Sequence, residues 1–259
     1  MLRTVNLTKV YKNGTVALEN VSFEVPDGAF MAIIGLSGSG KSTLLRCINR
    51  LVEPTSGEIW LDEINITAAK RQELRTIRSR IGMIFQQFNL VDRSSVRMNV
   101  LAGRLGYTPP AFSLLNHFSK VDNVRAQDAL ARVGIVDKIN SRADELSGGQ
   151  QQRVGIARAL MQSPTIILAD EPVASLDPVL AHSILGHLEQ LNKQDGITVL
   201  CSLHHLDLVQ RYATHVIGLR DGHLVYEGDN AAIRRIDDQR FKEIYGEDAI
   251  RLGNMTGEA

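Results

Sequence analysis

Apolar and polar residues alternate at Val21, Phe23 and Val25, and again at Ile59 and Leu61, which is the two-residue period of half-buried strands. Residues 2–33 and 57–66 are therefore expected to be strand-rich, with Pro26-Asp27-Gly28 supplying a turn. Four short apolar runs, at residues 30–34, 81–85, 165–169 and 197–203, have the length and content of fully buried strands. Between them the period changes. Helices are predicted from Lys41 to about Arg50 and over 181–194. Residues 90–160 carry helical spacing, as at Ala126, Ala129, Leu130 and Val133. Strand, helix, strand is the βαβ pattern and implies an α/β core with a parallel sheet. Residues 215–219 and 223–226, joined by Arg220-Asp221-Gly222, predict a hairpin.

Composition narrows the picture only a little. The 259 residues are 44% hydrophobic and 22% charged with zero formal net charge, so bulk charge gives no reason to expect a nucleic-acid partner. The basic stretch Lys70, Arg71, Arg75, Arg78 and Arg80 has the spacing of a solvated helix face. Cys47 and Cys201 are isolated and sit in apolar surroundings, as reduced buried thiols do. The first residues lack an apolar signal core, and no apolar run approaches the roughly 20 residues that span a bilayer. If the protein works at a membrane, another chain is expected to provide the membrane part. Pro109-Pro110 interrupts the helical region, and Phe112, Leu114, Leu115 and Phe118 follow as either a partner-facing patch or a covered helix pair.

Three segments carry chemistry. Gly35-Leu36-Ser37-Gly38-Ser39-Gly40-Lys41-Ser42 fits G-x-x-x-x-G-K-[ST] between a strand and a helix. Its glycines let backbone N–H groups surround phosphates, Lys41 neutralises β- and γ-phosphate oxygens, and Ser42 offers a hydroxyl to Mg²⁺. A chance match in a chain of this length is on the order of 1%. Ile166-Ile167-Leu168-Ala169-Asp170-Glu171 is an apolar strand ending in two carboxylates that point different ways. Asp170 suits a Mg²⁺ shell, and Glu171 suits orientation and polarisation of an attacking water. With the phosphate-loop strand expected beside it, the pair reads as catalytic and not as a solvated turn. Finally, Leu146-Ser147-Gly148-Gly149-Gln150 opens a helix whose first N–H groups and positive dipole end can hold an anion.

The order of these motifs, followed by Ser175-Leu176-Asp177, resembles the ATP-binding-cassette (ABC) ATPases over about residues 2–245. The resemblance implies a P-loop NTPase α/β fold with an antiparallel β subdomain and a helical subdomain. Residues 1–89 and 160–245 would form the ATP-binding core with the β subdomain, 90–159 the helical signature subdomain, and 246–259 a tail that frays. It also implies ATP and Mg²⁺ as cofactors, held by Gly35, Ser37, Gly38, Ser39, Gly40, Lys41, Ser42 and Thr43. Gln86 matches the glutamine that senses Mg²⁺ and the lytic water, the order Phe85-Gln86 favouring it over Gln87. His204 matches the histidine that contacts the γ-phosphate, and the spacing to Asp207 favours it over His205. Tyr11 matches the aromatic residue that stacks on adenine, and Asp177 the aspartate that bridges subunits. In this family the Ser147, Gly148, Gly149 and Gln150 turn of one subunit caps the γ-phosphate held by the other. The functional unit implied is a head-to-tail dimer with two trapped ATP molecules.

One cassette without fused membrane helices is similar to importer ATPases. Residues 81–91, 169–178 and 202–208 look like the phosphonate (or phosphite) importer group, and the added segment 105–123 is similar in placement. Partners so implied are a second copy, two transmembrane permeases and an extracytoplasmic solute-binding protein, with no nucleic acid. The place implied is the cytoplasmic face of the cell membrane, peripherally. Methionine and polar amino-acid importer ATPases are near relatives and remain alternatives. A non-transport ABC ATPase acting on nucleic acid is the rival class, but such chains carry two cassettes or long coiled coils, and neither is present. One departure is Arg97-Met98, where relatives usually carry a Leu-Glu-like pair, close to the surface expected to receive the permease.

Overall fold

Phe30, Ala32 and Ile34 are buried in one hydrophobic cluster while their neighbours Met31 and Ile33 are buried in another. A strand apolar on both faces must lie at the centre of a covered sheet, and β3 (Phe30–Ile34) does. The computed structural model describes residues 1–108, 118–233, 242, 244 and 245. The central sheet also contains β6 (Ile81–Ile84), β7 (Ile166–Ala169), β8 (Thr198–Ser202), β9 (His215–Arg220) and β10 (His223–Asp229). Its order is β10-β9-β3-β8-β7-β6, all neighbours being parallel except the β9–β10 hairpin. The strand ending in Asp170 and Glu171 is therefore not beside the phosphate-loop strand as expected; β8 lies between β3 and β7.

One face of the sheet is covered by α1 (Lys41–Ile48), α2 (Arg71–Ser79) and a second sheet. That sheet is antiparallel, in the order β2-β1-β4-β5, from β1 (Leu2–Val10), β2 (Val16–Val25), β4 (Ser56–Leu61) and β5 (Ile64–Asn65). The other face packs on α3 (Val96–Leu101), α4 (Lys120–Arg132), α5 (Gly148–Leu160), α6 (Pro178–Asp195) and α7 (Leu206–Tyr212). Asp177 caps α6 by accepting from Leu180 N at 3.0 Å, Pro178 opens the helix, and Gly196 ends it in the left-handed conformation. The helix is thus longer at both ends than its apolar period alone implied. No helix among the described residues is long and apolar enough to cross a membrane.

The basic stretch around α2 is exposed at Lys70, Arg71 and Arg75, as a solvated face is, but three of its guanidiniums also hold neighbouring segments. Arg75 donates to the carbonyls of Leu105, Gly106 and Thr108, each at 2.9 Å, and Arg78 donates to those of Asn49 and Arg50. Arg80 pairs with Asp62. Arg75 and Arg78 thereby clasp carbonyls at or just beyond helix ends, which lack intrahelical partners. Arg97 likewise turns inward, donating to Asn123 Oδ1 at 3.3 Å and Asn140 Oδ1 at 3.2 Å. It joins α3 to α4 and to the turn after it. Phe118 packs on the core beneath the helices, whereas Phe112, Leu114, Leu115 and the residues beyond 245 lie outside the described residues.

Candidate functional site

Because β3, β8, β7 and β6 run parallel, the segments that leave them emerge along one edge of the sheet. In chain order these segments carry Gly35–Thr43, Gln86–Gln87, Asp170–Glu171 and His204–His205. Ligands of open α/β sheets bind outside such carboxyl ends.

Gly35 has φ 141° and leaves β3 so close to β9 that a Cβ there would lie 2.1 Å from the Leu219 carbonyl oxygen. Only glycine permits that approach. Ser37 and Gly38 are exposed at the tip of the loop, Ser39 is buried, and Gly40 caps α1. Lys41 is only 3% exposed and donates to the carbonyls of Gly35 at 2.9 Å and Leu36 at 2.8 Å. Burial pushes its ammonium below the usual lysine range, and the charges of Glu171 and Asp170 oppose that shift. Thr43 shares a hydrogen bond with Tyr11 Oη at 3.2 Å, which sets the Tyr11 ring beside the start of α1. Tyr11 is partly exposed, and Lys9 Nζ lies 5.2 Å from its ring centre.

Asp170 is 1% exposed. Its Oδ1 accepts from Ser42 Oγ at 2.7 Å and, more weakly, from Ser202 Oγ at 3.4 Å; its Oδ2 accepts from Arg46 at 3.2 Å. The Ser42–Asp170 pair offers oxygen only, the donor type that Mg²⁺ prefers. Glu171 turns the chain with φ 47°, a left-handed conformation that costs on the order of 1 kcal/mol away from glycine. Its N–H is held by Ser202 Oγ at 2.7 Å. The turned carboxylate is gripped on both oxygens: Gln86 Nε2 donates to Oε2 at 2.9 Å, and His204 Nε2 lies 2.5 Å from Oε1. Gln86 thus reaches Glu171, while Asp170 takes its hydrogen bonds from Ser42, Arg46 and Ser202.

Ser147 and Gln150 cap each other at the start of α5. Gln150 Oε1 accepts from Ser147 N at 3.0 Å and Ser147 Oγ from Gln150 N at 3.4 Å. Gly148 and Gly149 form the first turn, Gly149 pressed against Leu180. Asp177 is exposed at the α6 cap. These residues belong to the helical face of the molecule, on elements separate from the loops that gather Lys41, Ser42, Gln86, Asp170, Glu171 and His204.

Three contributors escaped sequence reasoning. Arg46 stands one helical turn after Ser42, so an i, i+4 search from the serine would have found it. Ser202 ends β8 and had no signal until β8 proved to lie beside β7. Arg158, on α5, donates to the carbonyls of Phe88 and Asn89 just beyond Gln86. Its partners are backbone oxygens, which leave no trace in residue type.

A glycine loop between a central parallel strand and a helix, its serine bonded to an acid at the end of a second strand, defines a P-loop nucleoside triphosphatase. The ABC transporter family model matches residues 18–174. The chain belongs to that family. It is 52% identical over 251 residues to the phosphonates import ATP-binding protein PhnC of Staphylococcus saprophyticus, covering 96% of each chain. It is 54% identical over 241 residues to the protein of the same description from Staphylococcus aureus strain USA300, covering 93% of each. Among solved structures, the ATP-binding cassette MJ1267 in its ADP conformation aligns with TM-score 0.82 at 32% identity, over 94% of this chain and 97% of that one. The cassette MJ0796, in a dimeric post-hydrolysis state bound to ADP and Pi, aligns with TM-score 0.79 at 37% identity, over 89% and 99%.

Proposed function

We propose that this chain is the ATP-hydrolysing subunit of an ABC importer and that it energises phosphonate (or phosphite) uptake. The observation that carries the hydrolytic reading is the grip of Gln86 and His204 on the two oxygens of Glu171, next to Asp170 bonded to Ser42. Near-complete coverage at 52–54% identity by phosphonate-import relatives supports the substrate class.

In this reading Gly35–Thr43 wraps the ATP phosphates, with Ser37, Gly38, Ser39 and Gly40 offering N–H groups. Lys41 exchanges its two carbonyl partners for phosphate oxygens. Tyr11 stacks on adenine. Ser42 and Asp170, with Gln86, would hold Mg²⁺, which would supply positive charge to the phosphates during transfer. Glu171 accepts a proton from the attacking water and orients it, His204 holds the carboxylate and meets the γ-phosphate, and Gln86 fixes the opposite oxygen. Ser147, Gly148, Gly149 and Gln150 cap the ATP of a second copy, and Asp177 contacts that copy. Residues 1–89 and 160–245 serve as ATP-binding core with its β subdomain, 90–159 as the helical signature subdomain, and 246–259 as a tail. The assembly has two such subunits, two membrane permeases and an extracytoplasmic binding protein, with this chain on the cytoplasmic membrane face.

The test is ATP hydrolysis by the chain co-assembled with its permeases in vesicles. Stimulation by binding protein loaded with methylphosphonate or phosphite is expected. Stimulation by methionine or a polar amino acid instead would overturn the substrate class, and co-purification with RNA in place of permeases would overturn transport.

A further inference from the structure

Arg158 lies in the last turns of α5 and is partly buried, and burial alone lowers its pKa. A guanidinium stays charged even so. Among the described residues no carboxylate pairs with it. Instead Nη1 donates to Asn89 O at 2.6 Å and Nη2 to Phe88 O at 2.7 Å. Burying a cation is unfavourable unless hydrogen bonds compensate, and an acid would compensate better than two carbonyls. A planar fork does, however, fix two consecutive carbonyls in one orientation.

Those carbonyls belong to an unusual turn. Phe88 (φ 55°) and Asn89 (φ 49°) are successive non-glycine residues in the left-handed region. Each is strained relative to an ordinary conformation. The exit of the turn is held by Asn99 of α3, whose Oδ1 accepts from Val91 N at 2.7 Å while its Nδ2 donates to Val91 O at 3.1 Å. The backbone of Arg158 is itself fixed, since a Cβ on Gly103 would lie 2.2 Å from its carbonyl oxygen. Two residues before Phe88, Gln86 donates to Glu171. The strained turn thus joins a rigid helix to a side chain on the proposed catalytic carboxylate.

We propose that Arg158 is a positioning residue: its guanidinium holds the Phe88–Asn89 turn left-handed so that Gln86 reaches Glu171. This rests on the hydrolytic reading above. A plain staple between helix and loop would contribute stability and nothing else, and the two roles separate at Asn89. Glycine enters the left-handed region without cost. If Arg158 acts by holding that conformation, glycine at 89 replaces part of what it does.

The experiment measures ATP turnover and fluorescent ATP-analogue binding on the full chain with its permeases. The variants are Gln86→Ala, Arg158→Gln, Arg158→Lys, Arg158→Gln with Asn89→Gly, and Arg158→Gln with Gln86→Ala. Arg158→Gln is expected to lower kcat about tenfold with ATP affinity changed less than about twofold. Arg158→Lys should be intermediate, because an ammonium cannot hold both carbonyls in a fork. Adding Asn89→Gly should restore at least about a threefold part of the loss. Adding Gln86→Ala to Arg158→Gln should cost little more than Gln86→Ala alone, since the two act through one contact. The clamp is overturned if Asn89→Gly restores nothing, or if Arg158→Gln and Gln86→Ala multiply as independent losses. Should Arg158→Gln fail to fold, the same glycine rescue and double variant are made on Arg158→Lys. Unchanged turnover in Gln86→Ala by itself would remove the catalytic reading of Gln86, and the proposal with it.

Discussion

Ser42 Oγ donates to Asp170 Oδ1 across 2.7 Å, although 128 positions separate the two residues along the chain. Arg46, one turn along α1 from Ser42, takes the other carboxylate oxygen. A buried acid with hydroxyls on one oxygen and a cation on the other is poised to exchange a partner for Mg²⁺. Asp170→Asn retains the shape and removes the charge. Mg²⁺ is expected to lose most of its enhancement of ATP binding in this variant, measured by MgCl₂ titration with a fluorescent ATP analogue. Since Arg46 is half-exposed, water takes over its solvation, and Asp170→Asn should cost no more than about 1 kcal/mol of stability through that ion pair. An undiminished Mg²⁺ response would remove Asp170 from the metal site.

Glu171→Gln keeps a hydrogen-bonding side chain between Gln86 and His204 but removes the base. Turnover should fall by roughly 10²–10⁴-fold, the range for loss of a general base, with ATP binding preserved. With ATP and Mg²⁺ the variant should elute as a dimer in size-exclusion chromatography. Elution as a monomer under those conditions would contradict the shared-site arrangement for the isolated subunit.

Ser147 has two roles that one substitution separates. Ser147→Ala removes the α5 cap and should lower unfolding free energy by about 1 kcal/mol in denaturant titration. In the shared-site reading it should also reduce turnover, while ATP affinity of the monomer stays the same. If monomer affinity falls together with turnover, Ser147 serves its own subunit's nucleotide.

Burial pushes the Cys47 thiol from 9.0 up to about 12, and Cys201 is shifted the same way. In the unfolded chain these thiols ionise at lower pH than in the native one. Between roughly pH 9 and 12 the native state therefore binds more protons, and stability falls as pH rises through that window. Denaturant midpoints at pH 8 and pH 10 should show the decline, and Cys47→Ser with Cys201→Ser should flatten this part of it. Native protein should react with an aromatic disulfide reagent far more slowly than unfolded protein. Prompt labelling of both thiols under native conditions would contradict their burial.

Much of the fold was legible. The buried strands appear at 30–34, 81–84, 166–169 and 198–202, within a residue or so of their apolar runs, because a strand covered on both faces has no choice but continuous apolar residues. The β9–β10 hairpin follows from Asp221-Gly222, where both residues take positive φ. The solvated face near α2 was legible at Lys70, Arg71 and Arg75, but its carbonyl contacts were not, because charge along a helix looks alike whether it meets only water or also clasps a carbonyl. Arg75 and Arg78 find their acceptors at the ends of other elements, and an acceptor on the backbone has no residue type to read.

What the chain determines by itself is chemistry encoded within a few neighbouring residues. The glycines that bend residues 35–40, the acids that end β7 and the Ser147–Gln150 capping pair each act through local backbone geometry. Their nature is readable without knowing what lies nearby. Tertiary structure alone decided that β8 separates β3 from β7, which brings Ser202 under Asp170 and Glu171 and gives Arg46 and Ser42 the same carboxylate. It also decided that Arg158 holds the turn after Gln86. Strand order in a parallel sheet is set by how crossover helices pack on its faces, a sum of weak contacts spread over the whole chain. The partners of a buried guanidinium follow only from that packing, because any carbonyl it meets will do.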